Sequence, residues 1–393
     1  KDCQSRSWKD HHRRICKDLP HFLSSTTDPQ QQLDSLLVAQ LIAKHLGLDE
    51  GRGAIIRYFQ GASAKSTVDD LESPLRALFT LQPAERISSP PLPLQEALLN
   101  ATPKAAIDHL FSTIQNNHFS VASTYLHPIA HAIFSLASRA FNHSCLPNAA
   151  PSYRYENGCV WQDVRALSDI EADEEITISY IDSASPLSSR QIALRQTYVF
   201  ECTCSRCQLQ ASVHTTTAPS PQHELAGSEA TLREWVFSDH PPESSSVTAS
   251  LLPLTNVTIA GVPPALLPFV YQDDYLPTVS SRFSDIAHSA NPKLDPALCT
   301  GLTLLAMYFL IYPRHHPLIG LHCLELAKVL WNVGIISPAE EARCRPMAGK
   351  LLDLARSIMA VSLPPSGFEG ENGSSPWQDL QSLQGLLVGD IKD

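Results

Sequence analysis

Three cysteines crowded close together place the strongest constraint on how this chain folds. Cys202, Cys204 and Cys207 follow a C-x-C-x-x-C spacing, which lets three thiolates converge on one tetrahedral zinc ion at about 2.3 Å each. Disulfides within the trio are disfavoured, because an extended pair separated by one residue does not easily bring its β-carbons to about 3.8 Å. A closed structural zinc site has four protein ligands, so the chain must fold back to supply one more.

The fourth ligand has several candidates in the sequence. Cys145 is the only one of them that lies in a dense polar motif, "NHSCLPN" at 142–148. The chain opens on "KDCQSRSWKD", without an apolar signal segment, which favours metal-bound thiols over disulfides. Spacing alone leaves the choice open among Cys145, Cys159, Cys299, Cys323 and Cys344.

The amino-acid composition limits the classes of partner. A hydrophobic fraction of 43% and a charged fraction of 18% are globular values, and 393 residues suit two or three domains. The formal net charge of −11 argues against direct binding to a nucleic-acid backbone, whose affinity depends on lysine and arginine contacts with phosphates. An acidic surface suits a basic partner, such as a lysine-rich peptide.

Strand-like and helical patterns alternate along the chain. Short strands are predicted between 117 and 181, and Asn157-Gly158 predicts a hairpin because this dipeptide supplies the positive φ angles of a tight turn. Residues 188–198 return to helical spacing and lead into the cysteine trio. Amphipathic helices are also predicted at 33–48, 94–100, 104–114, 317–334 and 338–362.

Two further segments have a marked composition. The longest apolar run, 297–312, lies between two prolines and is shorter than the roughly 20 residues of a membrane span. It therefore predicts a buried helix and no membrane association. Residues 208–253 are rich in Ser, Thr, Pro and Glu, a composition typical of a linker or a mobile insertion.

Three motifs in order along the chain carry a family resemblance. "NHSCLPN" at 142–148, "EEITISYID" at 174–182 and "YVFECTCSRC" at 198–207 resemble the SET-domain lysine methyltransferases. "CQSRSWKDHHRRIC" at 3–16 resembles the closing half of a MYND zinc finger. Together these segments resemble the SET and MYND (SMYD-type) subfamily, and relative to that family the chain is expected to be truncated at its N-terminus.

The resemblance implies an α+β fold. SET-domain β-sheets would carry a helical insertion, followed by a post-SET zinc motif and an all-helical C-terminal domain. The implied domains are a partial MYND finger at 1–20, a helical linker and SET insertion at 21–115, the SET core at 116–182, the post-SET zinc motif at 183–210, a linker or insertion at 211–290, and a TPR-like helical domain at 291–393.

The resemblance also implies a binding site for S-adenosylmethionine. In that family the Asn-His pair binds this cofactor, which here means Asn142 and His143. Asn117, which precedes the first motif, would join them. Phe200 would pack on the cofactor or on the floor of the lysine channel.

Two tyrosines are implied as catalytic residues. Tyr180 ends the second motif and Tyr198 opens the third. A narrow aromatic channel strips water from a lysine ammonium and lowers its pKa, and ring faces tolerate a cation. The Tyr180 hydroxyl would orient the attacking nitrogen and also contact the cofactor.

The metal ligands follow from the same resemblance. Cys145 becomes the fourth zinc ligand beside the trio. In the finger segment, Cys3, Cys16 and one histidine would remain as ligands. His12 and Cys16 are four residues apart and would share one helical face, which favours His12, whereas the family's tryptophan-to-histidine spacing favours His11.

Three acidic residues precede the strand that ends at Tyr180. Glu174 and Glu175 stand at a strand entry, where a structural or solvated role is expected before a catalytic pair. Asp173 stands where the family has glycine. Asp tolerates the left-handed conformation of such a turn better than most residues.

The implied function is that of a protein-lysine N-methyltransferase, which transfers a methyl group from S-adenosylmethionine to a lysine of a histone or another protein. The alternative is a catalytically inactive SET scaffold that acts through protein–protein interaction. The expected partner is a lysine-containing protein, with no nucleic-acid backbone and no membrane. The resemblance implies a monomer in the nucleus or the cytoplasm.

Overall fold

The computed structural model describes most of the chain from Asn117 onwards. The described ranges are 117–134, 137–156, 159–213, 222–237, 261–363 and 375–389, with Ser5, Trp8, Lys9 and Leu37 as single positions. The predicted helices at 94–100 and 104–114 lie outside these residues, as does the helix at 33–48 apart from Leu37.

Short strands come first in this region and long helices follow. The strands are β1 (Phe119–Ala122), β2 (Pro128–Ala132), β3 (Asn142–His143), β4 (Ala149–Glu156), β5 (Cys159–Ala166) and β6 (Thr177–Ile178). The helices are α1 (Ala137–Ala140), α2 (Leu187–Ala193), α3 (Ser205–Ser212), α4 (Gln222–Phe237), α5 (Leu267–Val270), α6 (Tyr275–Ala287), α7 (Leu294–Ile311), α8 (Pro317–Ile336), α9 (Pro338–Ser362) and α10 (Pro376–Gly389). A π-helical turn, Leu194–Tyr198, continues α2. The predicted α+β class is confirmed.

The described chain divides into two compact units. The first unit contains Lys1–Val121, Pro128–Phe141 and Ile192–Glu201. The second unit contains Ala122–His127, Asn142–Gln191 and Cys202–Asp393. Strands β3 to β6 and helices α3 to α10 therefore belong to the second unit.

Strands β4 and β5 form the hairpin that the Asn-Gly dipeptide predicts. Their antiparallel register pairs Glu156 with Cys159 at the turn and Ala149 with Ala166 at the open end. The tyrosines, valines and tryptophan of these strands favour an extended backbone, because branched and aromatic side chains fit a pleated surface. The predicted hairpin is confirmed.

Strands β3 and β6 pair in parallel although they are distant in sequence. Asn142 lies opposite Thr177, and His143 lies opposite Ile178. The Ser144 N–H extends the ladder by donating to the carbonyl of Ile178 at 3.0 Å. Parallel strands need a long crossover connection, which the β4–β5 hairpin and the loop after it supply here. The first and second motifs therefore lie side by side.

The loop before β6 contains a residue in the left-handed region. Asp173 has a φ of 66°. The next N–H, of Glu174, donates to the carbonyl of Glu171 at 3.1 Å and closes the turn. Asp is among the few side chains that tolerate this conformation, so the turn forms without a glycine.

The open end of the β4–β5 hairpin lies against the helices of the second unit. His315 places its Nδ1 2.8 Å from the carbonyl oxygen of Leu167, the residue that follows β5. Arg165 of β5 donates to the carbonyl of Val361 in α9 at 3.5 Å. Leu167 itself is fully buried. The hairpin that lies between the first two motifs in sequence therefore rests on a helical support.

Helices α6 to α10 enclose the large apolar core of the second unit. Helix α7 is apolar around most of its circumference, as expected of a helix that is covered by others. Leu305, Met307 and Leu330 have no exposed surface. The predicted helices at 317–334 and 338–362 and the buried helix at 297–312 are confirmed.

The range predicted as a linker or insertion, 211–290, differs from that prediction. Helices α4, α5 and α6 lie within it. Leu232 and Val236 of α4, and Val279 and Phe283 of α6, are buried in the same apolar core. The Ser, Thr, Pro and Glu content of 208–253 masked the apolar positions of α4 at helical spacing. The described parts of the range are packed structure.

Two of the described helices are long and apolar enough to cross a membrane by length and composition. They are α7 and α8, and 72% of the apolar stretch of α7 and 61% of that of α8 are buried within the fold. Buried core helices also meet these criteria of length and composition. The burial of α7 and α8 agrees with their place in the apolar core described above.

Helices α7 and α8 lie close together at Gly301. A β-carbon at this position would lie 2.5 Å from Leu326 Cδ1 and 3.1 Å from Phe283 Cε2. The close approach allows His322 of α8 to form a hydrogen bond, because its Nε2 lies 2.8 Å from the Gly301 carbonyl oxygen and donates to it. Its ring also meets Phe283 and Tyr308 edge to face, at centroid distances of 4.8 and 5.4 Å.

The close approach at Gly301 predicts that a Gly→Ala substitution has opposite effects on stability at Gly301 and at Gly349. Gly301→Ala should lower the free energy of unfolding by about 1–3 kcal/mol, because overpacking a filled core displaces its neighbours. Gly349→Ala in α9 is the matched control, because a β-carbon there meets nothing within 4 Å. That change should raise the free energy of unfolding by about 0.5–1 kcal/mol. Chemical denaturation measures both, and equal effects would contradict the packing described.

A buried histidine, His322, and a partly buried one, His316, predict that acid destabilises the second unit. Burial lowers the pKa of His322 to about 4 and that of His316 to about 3, whereas an unfolded histidine titrates near about 6.5. The unfolded chain therefore binds more protons below about pH 6.5, and the free energy of unfolding falls as pH decreases from there towards the folded pKa. Each histidine contributes at most about 1.4 kcal/mol per pH unit.

The measurement is chemical denaturation of wild type and His322→Gln at pH 7 and pH 5. Glutamine keeps a donor for the Gly301 carbonyl but does not titrate, so the variant should lose less stability between the two pH values. His288→Gln, at the exposed end of α6, should behave as wild type. Identical pH dependence in wild type and His322→Gln would show that His322 is not responsible.

Candidate functional site

Four cysteines of the second unit bring their sulfur atoms together. The Sγ atoms of Cys145, Cys202, Cys204 and Cys207 all lie within 4.8 Å of one another. Those of Cys145 and Cys207 are 3.5 Å apart. Tetrahedral bonds of about 2.3 Å to one zinc ion place sulfur atoms about 3.8 Å apart, so the cluster fits such an ion. Of the five candidates for a fourth ligand, the fold brings Cys145 to the trio.

Local structure positions each of these thiols. Cys145 follows β3 directly, so the parallel pairing with β6 fixes its backbone. The backbone of Cys202 is held by the Gln191 side chain, which accepts from its N–H at 2.9 Å and donates to its carbonyl at 2.8 Å. Cys204 caps the start of α3 and Cys207 lies in its first turn. Three separate elements thus deliver four thiols to one point.

Electrostatics within the cluster favour a bound cation. A hydrogen bond with Cys202 raises the pKa of the Cys145 thiol, and the same contact lowers the pKa of Cys202. Hydrogen bonding to Cys145 lowers the pKa of Cys204 to about 5. Four neighbouring thiols cannot all ionise by themselves, because each thiolate opposes the next. A divalent cation removes that obstacle and allows all four to be thiolates.

His143 connects the cysteine cluster to the second motif. Its Nδ1 accepts the backbone N–H of Tyr180 at 3.0 Å. The proton of a neutral ring therefore lies on Nε2, which is 3.3 Å from the Cys145 sulfur and donates to it. The ring also meets the Tyr180 ring at a centroid distance of 5.3 Å. One imidazole thus bridges the thiol cluster and the residue that the resemblance implies as catalytic.

Tyr180 presents a neutral phenol. Burial raises its pKa, and the nearby carboxylate of Glu175 raises it further. The hydroxyl therefore keeps its proton at physiological pH, so that it can donate or accept a hydrogen bond and is not an anionic base.

The side chain of Asn142 is held by an acidic partner. Its Nδ2 donates to Glu175 Oε1 at 2.6 Å. The pairing of β3 with β6 brings these two residues together, since Glu175 lies just before β6. Sequence reasoning treated Glu175 as a structural or solvated residue, and its contact with Asn142 becomes visible only in the fold.

The last residue of the first motif locks the second motif in place. Asn148 donates to Glu174 Oε1 and to the Glu175 carbonyl, both at 2.9 Å, and its Oδ1 accepts the Thr177 N–H at 2.9 Å. Glu174 also accepts the Glu171 N–H at 2.9 Å. These contacts serve the turn rather than a catalytic pair. Asn148 was not singled out from the sequence, although it belongs to the motif that was.

The remaining residues that the resemblance implies at the cofactor and the lysine channel belong to the first compact unit. Asn117, Tyr198 and Phe200 all fall in its segments. The Asn117 carbonyl accepts a hydrogen bond from Ser138 Oγ at 2.7 Å. The rings of Tyr198 and Phe200 are 6.5 Å apart between centroids. Val199 between them has a φ of 62°, a strained value for a branched side chain, and this turns the backbone sharply between the two aromatic residues.

Two basic residues beside the cluster were missed by sequence reasoning. Arg190 of α2 and Arg206 of α3 are both buried, and Arg190 donates to the sulfur atoms of Cys145 and Cys207. Arginine is normally exposed, so no sequence pattern marks a buried one. The predicted finger ligands Cys3, His12 and Cys16 lie outside the described residues.

Comparison with known proteins agrees with this geometry. The family model described as "SET domain" matches residues 14–181. The Mus musculus protein named Histone-lysine N-methyltransferase SMYD3 is 25% identical over 370 residues, which cover 92% of this chain and 77% of that protein. The Gallus gallus protein named N-lysine methyltransferase SMYD2 is 36% identical over 106 residues, 27% of this chain and 23% of that protein.

A plant relative is also similar over a short part of the chain. The Arabidopsis thaliana protein named Histone-lysine N-methyltransferase ASHR1 is 39% identical over 97 residues, which span 25% of this chain and only 19% of that protein. The first and second motifs lie within or at the end of the stretch that matches the family model, so this part of the chain is similar to SET domains. The similarity to SMYD3 and SMYD2 supports a SET protein of the SMYD type, as the resemblance indicated.

The cysteine cluster predicts a loss of bound metal on a single substitution. Cys145→Ser should lower the metal content of the purified protein by about one equivalent relative to wild type, because serine replaces one of four thiolate ligands. Elemental analysis of wild type and variant measures this difference. Cys299→Ser is the matched control, since Cys299 is an exposed cysteine outside the cluster. Equal metal content in wild type and Cys145→Ser would rule out a metal at this position.

Proposed function

We propose that this SET protein is a protein-lysine methyltransferase that uses S-adenosylmethionine. The observation that carries the proposal is the parallel pairing of Asn142 and His143 with the strand that leads to Tyr180. It joins the residues expected to hold the cofactor to the residue expected to orient the substrate. The names of the SMYD relatives, which describe lysine methyltransferases, support the same activity.

Asn142 and His143 would hold the cofactor, with Asn117 and Phe200 as the further contacts that the resemblance implies. When bound, S-adenosylmethionine supplies a methyl group on a positively charged sulfonium, which leaves as a neutral thioether. Glu175 keeps the Asn142 amide in one orientation through its 2.6 Å contact, so that the amide is preorganised for a ligand.

The substrate lysine must reach the methyl group as a neutral amine. In an apolar channel that strips its solvation it would lose its proton to water, which would leave its lone pair free to take the methyl group that the cofactor would supply. The neutral Tyr180 hydroxyl accepts a hydrogen bond from the attacking amine and holds it in line. Tyr198 would supply an aromatic wall whose face tolerates the cationic product.

The substrate class follows from charge and the metal follows from the ligand set. A formal charge of −11 suits a lysine-rich protein or peptide, such as a histone. Zinc is the ion that four thiolates favour, and here Cys145, Cys202, Cys204 and Cys207 would hold it. We further propose Cys3, His12 and Cys16 as metal ligands of a MYND-type finger, and a nuclear or cytoplasmic location, as the resemblance implies.

The domain boundaries of this proposal follow the predicted order. The SET core would run over 116–182 and the post-SET zinc motif over 183–210. The helical domain would begin earlier than 291, because α4, α5 and α6 share its core. Residues 1–20 and 21–115 would hold the finger and the helical insertion.

Transfer of radiolabelled methyl groups to basic proteins tests the activity. The full-length protein should label a histone mixture, and Tyr180→Phe should reduce the rate by about a hundredfold or more, because it removes only the positioned hydroxyl. Phenylalanine retains the ring that packs on His143. Tyr155→Phe, on the exposed face of the β4–β5 hairpin, is the matched control and should label as wild type does.

Calorimetry with S-adenosylmethionine separates this proposal from the inactive scaffold. A methyltransferase should give heat of binding in wild type and in Tyr180→Phe, whereas a scaffold should give none in either. Equal labelling by wild type and Tyr180→Phe would overturn the role of Tyr180, and binding without any labelling of basic proteins would overturn the proposed substrate class.

A further inference from the structure

Two arginines beside the cysteine cluster are withdrawn from water. Arg190 is 1% exposed and Arg206 is 2% exposed. Both belong to the second unit, as do the four cysteines. A buried guanidinium keeps its charge, because arginine does not deprotonate in proteins, and such a charge needs a compensating negative group.

Arg190 directs its guanidinium at the thiols. Its Nε lies 3.3 Å from Cys145 Sγ, and its Nη2 lies 3.7 Å from Cys207 Sγ and 2.9 Å from Gln210 Oε1. Its Nη1 donates to the carbonyl of Ser185. Although burial opposes it, hydrogen bonding to Cys207 raises the pKa of Arg190. The guanidinium thus donates to two sulfur atoms at once.

Arg206 joins the cluster to the end of α7. Its Nη1 donates to the carbonyl of Cys145 at 3.2 Å and to that of Ile311 at 3.0 Å. Ile311 is the last residue of α7, where backbone carbonyls lack helical partners and a positive charge is favourable. The Nε of Arg206 is buried without a hydrogen-bond partner among the described residues. Arg206 is therefore a buried cation whose removal from water costs free energy.

Among the described residues, no carboxylate forms an ion pair with either arginine. Within these ranges the ion pairs involve other arginines and lysines, and neither Arg190 nor Arg206 takes part in one. The adjacent source of negative charge is the cysteine cluster itself. Four thiolates around a divalent ion carry a net charge of about two negative units, which two guanidinium groups neutralise.

We propose that Arg190 and Arg206 are the buried counter-cations of a four-thiolate metal centre, and that Arg206 makes this centre the anchor for the end of α7. This inference rests on the metal centre of the proposed function. It adds a role for two positioning residues that touch neither cofactor nor substrate. The metal would then stabilise the attachment of the helical domain as well as the fold around the cysteines.

Metal retention tests the first part. Arg190→Met removes a donor to two sulfur atoms at similar side-chain length, and loss of an outer partner of a metal site lowers affinity by about 10–100-fold. We expect a chelator to remove zinc from Arg190→Met and Arg206→Met at least about tenfold faster than from wild type. Arg195→Met is the matched control, because Arg195 lies near α2 but forms an exposed pair with Glu201.

Two further readouts keep this test decisive. If Arg190→Met does not fold, Arg190→Lys retains a charge but loses the planar fork, and it should release zinc faster than wild type. Cobalt substituted into the site should give weaker thiolate charge-transfer absorption at equal metal concentration in either variant. Wild type that holds no metal would refute the metal centre itself, whereas wild type and variants that release zinc equally would refute only the role of the arginines.

Hydrogen exchange tests the anchor. In wild type, a chelator should speed exchange at the end of α7, where the Tyr312 N–H bonds to the Tyr308 carbonyl at 2.9 Å. The centre of α9, around Leu351, should remain protected. In Arg206→Met the same amide should exchange faster even with metal bound. Unchanged protection at Tyr312 after metal removal, or equal loss of protection in α9, would overturn a local anchor.

Discussion

The sulfur atom of Cys145 joins parts of the chain that are far apart in sequence. It lies 3.5 Å from the Cys207 sulfur, and the residues just before it pair with β6. Whatever holds the four sulfur atoms together also fixes β3, and through β3 the first motif. A divalent ion would do this at the lowest electrostatic cost, because four unbridged thiolates would repel one another. The geometry of the candidate active site therefore depends on this cluster.

A single imidazole carries that dependence to the tyrosine. Both ring nitrogens of His143 are engaged, one by the Tyr180 backbone and the other by the Cys145 sulfur. A shift of the thiol would tilt the ring and move the strand end that presents the phenol. The Asn142–Glu175 contact fixes the neighbouring amide in the same way. Sites that must orient two reactants within fractions of an ångström depend on supporting contacts of this kind.

The helical part of the second unit supports the β4–β5 hairpin. Its helices pack without room for a methyl group at Gly301, and the hairpin rests on it through Leu167 and Arg165. Buried charge makes the junction specific, because Arg206 must meet both the Cys145 and the Ile311 carbonyls. An apolar contact would tolerate a small slip between these elements, whereas a buried guanidinium does not.

Much of the fold was predictable because its signals are local. Helical periodicity predicted α8 and α9, and an Asn-Gly dipeptide predicted the β4–β5 hairpin. Three close cysteines indicated a cluster of thiols that could hold a metal. The apolar positions of α4 were missed because the stretch around them is rich in Ser, Thr, Pro and Glu. Arg190, Arg206 and Asn148 were missed because polar residues are ordinarily exposed, and nothing nearby in the sequence shows that these three are enclosed.

The sequence by itself determined the chemistry of the side chains and which short segments became helix or strand. Helix and strand formation depends largely on residues a few positions away. Spacing left five candidate thiols open, and the tertiary structure brings Cys145, the one that the resemblance implied, to the trio. Tertiary structure alone decided that two arginines are buried beside it. The reason is physical: a ligand is selected by where the chain returns in space, and the parallel pairing of β3 with β6 sets that return.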